Sequence, residues 1–136
     1  MPVALPQAQA VIADYVAAFN RGDADALGRL FTPDALIHGA LGWGRLDLAM
    51  PIWRSLMESF GLQLHVEAIV GEGDSIVVRF TERGTFRAPF RGAPPTGRSY
   101  ELTAMEWFTL QDGRIHRRWA VRDTGSLFRQ VGLLAA

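Results

Sequence analysis

The sequence predicts an α+β domain in which helices cover one face of an antiparallel sheet. Three observations lead there. Apolar residues recur at helical spacing in the first third and again before Phe60, they alternate at period two from Leu62 onward, and tight turns separate the alternating runs. Helices first and consecutive hairpins afterwards leave a sheet with one apolar face, and the N-terminal helices are available to cover it. No repeat, linker or shift in composition divides the chain, so residues 1–136 are expected to form one domain.

Pro6 suits the first turn of a helix, and Val11, Ile12, Tyr15, Val16 and Phe19 follow on one stripe. Asn20-Arg21-Gly22 ends it, glycine being the residue that accepts the left-handed conformation past a helix terminus. Asp23 caps a second short helix carrying Leu27, Leu30 and Phe31. Thr32-Pro33-Asp34 breaks that helix, Ala35 to His38 reads as a short strand, and Gly39 to Gly44 as a glycine-rich loop. A third helix runs to Phe60 from Leu46 or from Pro51, which either kinks the helix or starts it. Leu62, Leu64, Val66, Ala68 and Val70 share one face of a strand, Gly71-Glu72-Gly73-Asp74 turns the chain, and Ser75 to Thr85 returns. A loop rich in proline and glycine, Pro89 to Gly97, precedes two long strands joined at Asp112-Gly113, and Thr124 to Val131 is a short final helix.

Composition narrows the function. The chain has no cysteine, which excludes thiol nucleophiles, disulfides and cysteine metal sites. His38, His65 and His116 have neither ligand spacing nor a partner cluster, so no metal is expected. All 14 basic residues are arginine, balanced by 14 acidic ones and spread from Arg21 to Arg129. A GC-rich coding sequence accounts for that bias, and with no basic cluster nucleic acid is not an expected partner. No apolar run is long enough for a bilayer and Met1 to Gln9 lacks a signal-like pattern, so the expectation is a cytoplasmic protein with no membrane partner.

The two long strands carry lone acidic residues on apolar faces. Leu102, Ala104, Glu106, Phe108 and Leu110 share one face, and Ile115, Arg117, Trp119, Val121 and Asp123 share another. A carboxylate among apolar neighbours is costly unless paired, hydrogen-bonded or protonated, so Glu106 and Asp123 are candidates for chemistry.

Tyr15-Val16-Ala17-Ala18-Phe19-Asn20-Arg21-Gly22-Asp23-Ala24-Asp25 resembles the opening of the nuclear-transport-factor-2-like (NTF2-like) superfamily. Pro94-Pro95-Thr96-Gly97-Arg98, Asp112-Gly113-Arg114-Ile115, Trp119, Asp123 and Leu127-x-x-Gln130-x-Gly132 resemble its SnoaL-like polyketide and ester cyclases. The resemblance spans nearly the whole chain. It implies a cone in which a strongly curved antiparallel sheet wraps a pocket closed by helices, and pairing through the sheet into a homodimer. It also implies a cofactor-free enzyme that takes a proton from an activated carbon ahead of an aldol closure, with a small hydrophobic carbonyl ligand as substrate.

Residue by residue, Asp123 matches the acid/base aspartate of the cyclases, although it can equally cap the helix beginning near Thr124. Glu106 and Tyr15 match the protonated acid and the tyrosine with which the related ketosteroid isomerases stabilise an enolate; paired with Arg117, or packed in the core, they have ordinary structural roles as well. His38 stands where that branch has its catalytic aspartate and is a possible base, or else a satisfied histidine at a strand end. Trp119 is expected to line the pocket. Arg117 departs from the Ile-x-Glu-His-Trp pattern of many members and either grips a substrate carboxylate or clamps Glu106 or Asp123. Two further readings stay open: an isomerase-like proton shuttle, and a non-catalytic module that sequesters a small ligand.

Overall fold

The amphipathic stripe that starts the chain becomes helix α1 (Leu5–Asn20), which lays Ile12, Tyr15 and Phe19 against the sheet. The protein is described here by a computed structural model covering residues 5–39 and 42–133. Gly22 takes the left-handed conformation (φ 69°) and Asp23 Oδ1 accepts from Ala26 N at 2.9 Å, so one helix ends and α2 (Ala24–Arg29) begins within three residues.

Phe31, expected on that second helix, instead opens strand β1 (Phe31–Gly39). Thr32-Pro33-Asp34 does not stop the chain; it forms an irregularity between Phe31 and Leu36 where β1 runs parallel to a later strand. A proline without an N–H fits such an interruption. The glycine-rich stretch contains a short strand, β2 (Gly42–Gly44), antiparallel to β1, while Ala40 and Leu41 lie outside the described residues. Helix α3 (Leu46–Phe60) begins at Leu46 and holds Pro51 in its interior.

Three hairpin-connected strands follow: β3 (Gln63–Glu72), β4 (Ser75–Thr85) and β5 (Ser99–Gln111). Then β6 (Arg114–Arg122) leads into α4 (Thr124–Val131). The six strands lie in the order β2-β1-β6-β5-β4-β3. All pairs are antiparallel except β1 with β6, which departs from the all-hairpin expectation. The reason is topological: helix α3, between β2 and β3, carries the chain across the sheet, so β6 returns beside β1 in the same direction.

Two bulges change which side chains face inward. In β3 the register shifts between Val66 and Ala68, so Leu62 and Leu64 are buried, Ile69 packs on the core, and Ala68 and Val70 turn outward. In β6 the partners of Thr109 and Leu110 are Arg117 and Ile115, leaving His116 unpaired. One extra residue reverses the facing of everything beyond it. Arg118, Ala120 and Arg122 therefore face the helices, and Arg117, Trp119 and Val121 face the other way. That correction relocates half of the expected site. The curved sheet with helices on its inner face has the cone architecture that the resemblance implies, and among the described residues no helix is long and apolar enough to cross a membrane.

Candidate active site

Between the inner face of the sheet and helices α3 and α4 lies a cavity of about 340 Å³. Its walls are largely apolar: Phe19 from α1, Ile37 from β1, Ala49, Ile52 and Trp53 from α3, Leu62 and Leu64 at β3, and Leu127 and Phe128 from α4. Its floor is not. Glu106 of β5, Glu82 of β4 and both Arg118 and Arg122 of β6 reach it, with Ala120 between the two arginines.

These four charged groups form two triads, each completed by a tyrosine behind the wall. In the first, Tyr15 donates to Glu106 Oε1 at 2.6 Å, and Arg118 Nε donates to the same oxygen at 2.8 Å and to the Tyr15 hydroxyl at 2.9 Å. In the second, Arg122 holds Glu82 with two bonds, Nε to Oε1 at 2.8 Å and Nη2 to Oε2, and Tyr100 donates to Oε2 at 2.6 Å. Gly84 makes room for that tyrosine, since a Cβ there would lie 2.7 Å from the Tyr100 ring.

The triads differ in what they leave over. The Glu82–Arg122 pair is bidentate and uses both carboxylate oxygens. Glu106 and Arg118 meet through one oxygen and one nitrogen only. Among the described residues no buried side-chain N or O atom lacks a partner and none bonds Glu106 Oε2 or the Arg118 amino groups, so these atoms keep some exposure, and both residues line the cavity. Glu106 is 3% and Arg118 5% exposed, so these free positions sit at the deep end, under Trp53, whose ring lies 5.5 Å from the guanidinium.

Electrostatics keep Tyr15 neutral and Arg118 charged. Burial pushes the Tyr15 phenol well above its ordinary pKa; the Arg118 charge opposes this and the Glu106 charge reinforces it. Burial would make Arg118 easier to deprotonate, but the Glu106 charge and the bonds to Tyr15 and Glu106 outweigh it, and its pKa is raised. The cavity therefore presents a permanent cation, Arg118, beside the Glu106 side chain.

Of the residues singled out in the sequence, Tyr15 and Glu106 come together. The tyrosine donates to the carboxylate instead of standing beside it, and it does not line the cavity. Arg117 lies on the outer face, its Nη1 on the carbonyl of His116, and the ion pair foreseen for it is made by Arg118. His38 and Trp119 are on that face too, in a cluster where the His38 ring lies 4.5 Å from Trp43 and Trp43 meets Trp119 edge-on at 5.8 Å. Asp123 is exposed and caps α4, Oδ1 accepting from Ser126 N at 2.9 Å, beside a shallow hollow shared with Thr81 and Thr103. By geometry it positions α4, which supplies Thr124 and Leu127 to the cavity wall. Arg118, Arg122, Glu82 and Tyr100 were missed. For Glu82 the signal was present, because Ile76, Val78, Phe80 and Glu82 alternate as plainly as the strand carrying Glu106. For Arg118 it was not, because only the bulge puts it inside.

A model of the SnoaL-like polyketide cyclases matches residues 9–131. This chain belongs to that family. The SnoaL-like fold is shared with solved structures. One is AclR, a candidate hydroxylase from Streptomyces galilaeus, with TM-score 0.88 and 25% identity over 98% of this chain and 85% of that one. Another is IdmH, a candidate polyketide cyclase from Streptomyces antibioticus, with TM-score 0.79 and 32% identity over 91% of this chain and 97% of that one. A protein of ketosteroid isomerase-like fold from Catenulispora acidiphila superimposes with TM-score 0.75 at 16% identity, covering 90% of this chain and 92% of that one, a likeness of fold alone. A search of curated proteins finds no match. Relatives described as a hydroxylase and as a cyclase share this SnoaL-like scaffold, so the reaction has to be argued from the cavity.

Proposed function

We propose that this SnoaL-like protein is a cofactor-independent acid/base enzyme acting on a hydrophobic carbonyl compound, in the manner of an aldol-type polyketide cyclase. One observation carries the reading: the deep end of an apolar cavity holds a carboxylate oxygen and guanidinium N–H groups side by side, neither bonded to another group among the described residues. Glu106 Oε2 takes a proton from a carbon activated by a neighbouring carbonyl. The C–H electron pair moves into that carbonyl, and the Arg118 amino groups hold the oxygen of the resulting enolate. The enolate carbon then bonds to a second carbonyl of the same molecule, and the new alkoxide takes the proton back from Glu106. Tyr15 and Arg118 Nε fix Oε1, which aims Oε2. Asp123, His38, Arg117 and Trp119 have no part in this machinery.

The proton-transfer half is testable on an apolar ketone, 2-tetralone, by following α-proton exchange into heavy water with NMR. Glu106→Gln is expected to slow protein-catalysed exchange by about a hundredfold or more, while Asp123→Asn, which preserves a cap, leaves it unchanged. Exchange in Glu106→Gln as fast as in the natural protein would sink the assignment. The pairing of both floor carboxylates with arginines favours one alternative, a module that only sequesters its ligand. Binding of 2-tetralone without any accelerated exchange would select it.

We also propose that a second copy covers the outer face of the sheet. Met105, Trp107 and Val121 are 47%, 50% and 71% exposed there, next to Trp119, and a two-fold axis would set this apolar surface against itself.

A further inference from the structure

We propose that Arg91 makes the mouth of the cavity a reader of anionic groups, so that the ligand is an apolar body bearing a carboxylate at its outer end. This deepens the proposed function and rests on the cavity being a ligand site. The charges along the cavity are sorted by depth. Glu106 and Glu82 on the floor are each answered by an arginine, Arg118 and Arg122. The remaining charged residue of the lining, Arg91, is exposed at the rim and makes no ion pair among the described residues. The lining thus carries one unanswered positive charge, at its entrance.

The position of that charge is built. Phe90 and Ala93 exchange both backbone hydrogen bonds, at 3.1 and 2.9 Å, closing a two-residue turn around Arg91 (φ 50°) and Gly92 (φ 80°). A turn with both central residues left-handed favours Asn-Gly, and nothing in its backbone recommends arginine. Phe90 anchors the turn: it is buried with its ring 5.0 Å from that of Phe60, and the Arg91 guanidinium lies over the Phe90 ring, 5.0 Å from its centroid. A guanidinium held over an aromatic ring at the surface keeps N–H groups available to a carboxylate. A ligand whose carbonyl reaches Arg118 can lay its apolar body along the walls and present an acid to Arg91.

The test compares naphthalene-2-carboxylate with its methyl ester by isothermal titration calorimetry, on the natural protein, Arg91→Asn and Arg91→Lys. Asparagine suits the left-handed turn, so its variant removes the charge without straining the backbone. The expected result is tighter binding of the carboxylate than of the ester, lost by about three- to tenfold in Arg91→Asn with the ester unaffected, and largely kept in Arg91→Lys. Equal binding of both probes, unchanged in Arg91→Asn, would overturn the inference and leave the ligand site standing. Binding of neither probe would overturn the ligand site and the inference together.

Discussion

Two tyrosine–glutamate–arginine triads underlie the cavity floor, each with three hydrogen bonds, and at the residue scale they differ in where the third one goes: from Arg122 to its carboxylate, but from Arg118 to its phenol. Arg122 spends two N–H groups on Glu82, which makes that pair a structural clamp. Arg118 spends Nε alone, and the groups it and Glu106 leave over are those the proposed reaction uses. Both triads bury a phenol, and Tyr15 and Tyr100 are the only tyrosines in the chain. Burial raises both pKa values above the ordinary phenol range, with Glu106 and Glu82 adding to the effect against their arginines. An unfolded chain loses its phenolic protons near pH 10 and the folded one retains them. This contribution to stability is therefore full below about pH 10 and falls as the pH rises above it. Ultraviolet titration should show no tyrosinate until the protein unfolds, and both tyrosines ionising together as it does. A phenol titrating near pH 10 in the folded protein would contradict the buried triads.

At the scale of the element, the decisive features are irregular ones. A single unpaired residue, His116, turns Arg118 and Arg122 toward the cavity, and Thr32 on the adjoining strand bonds its ring at 2.9 Å. The β3 irregularity similarly separates the buried Leu64 from the exposed Val70. In α3 the irregularity is Pro51, which cannot donate to the carbonyl of Asp47 one turn earlier. It is exposed at the cavity rim, so Pro51→Ala removes little packing. That substitution is expected to stabilise the protein by about 1–3 kcal/mol. Thermal unfolding measures it, and a lower Tm would show that the helix needs Pro51 to roof the cavity.

For the whole molecule, the sheet divides the tasks between its faces. The inner face holds the charged floor, and the outer face holds Trp107, Met105, Val121 and the His38–Trp43–Trp119 cluster. If a second copy covers that outer surface, a charge at its centre should separate the copies. Trp107→Glu is expected to shift the protein from dimer to monomer in analytical ultracentrifugation with the cavity intact, because Trp107 points away from it. A natural protein that sediments as a monomer would refute the pairing.

The α+β class, the strand count of the long hairpins, both aspartate caps and the meeting of Tyr15 with Glu106 were legible in the sequence. Each depends on local periodicity, on capping chemistry or on family resemblance. The parallel return of β6 beside β1 and the identity of the arginine on Glu106 were not. Alternation read along a strand assigns Arg117, Trp119 and Asp123 to the same face as Ile115, and that holds only while every residue is paired. The bulge at His116 depends on how β6 meets both β1 and β5, contacts far apart in the chain. Local pattern thus determined which elements form and where they end. Only the tertiary pairing of strands decided which side of the sheet each charge would face, and hence which residues share the cavity.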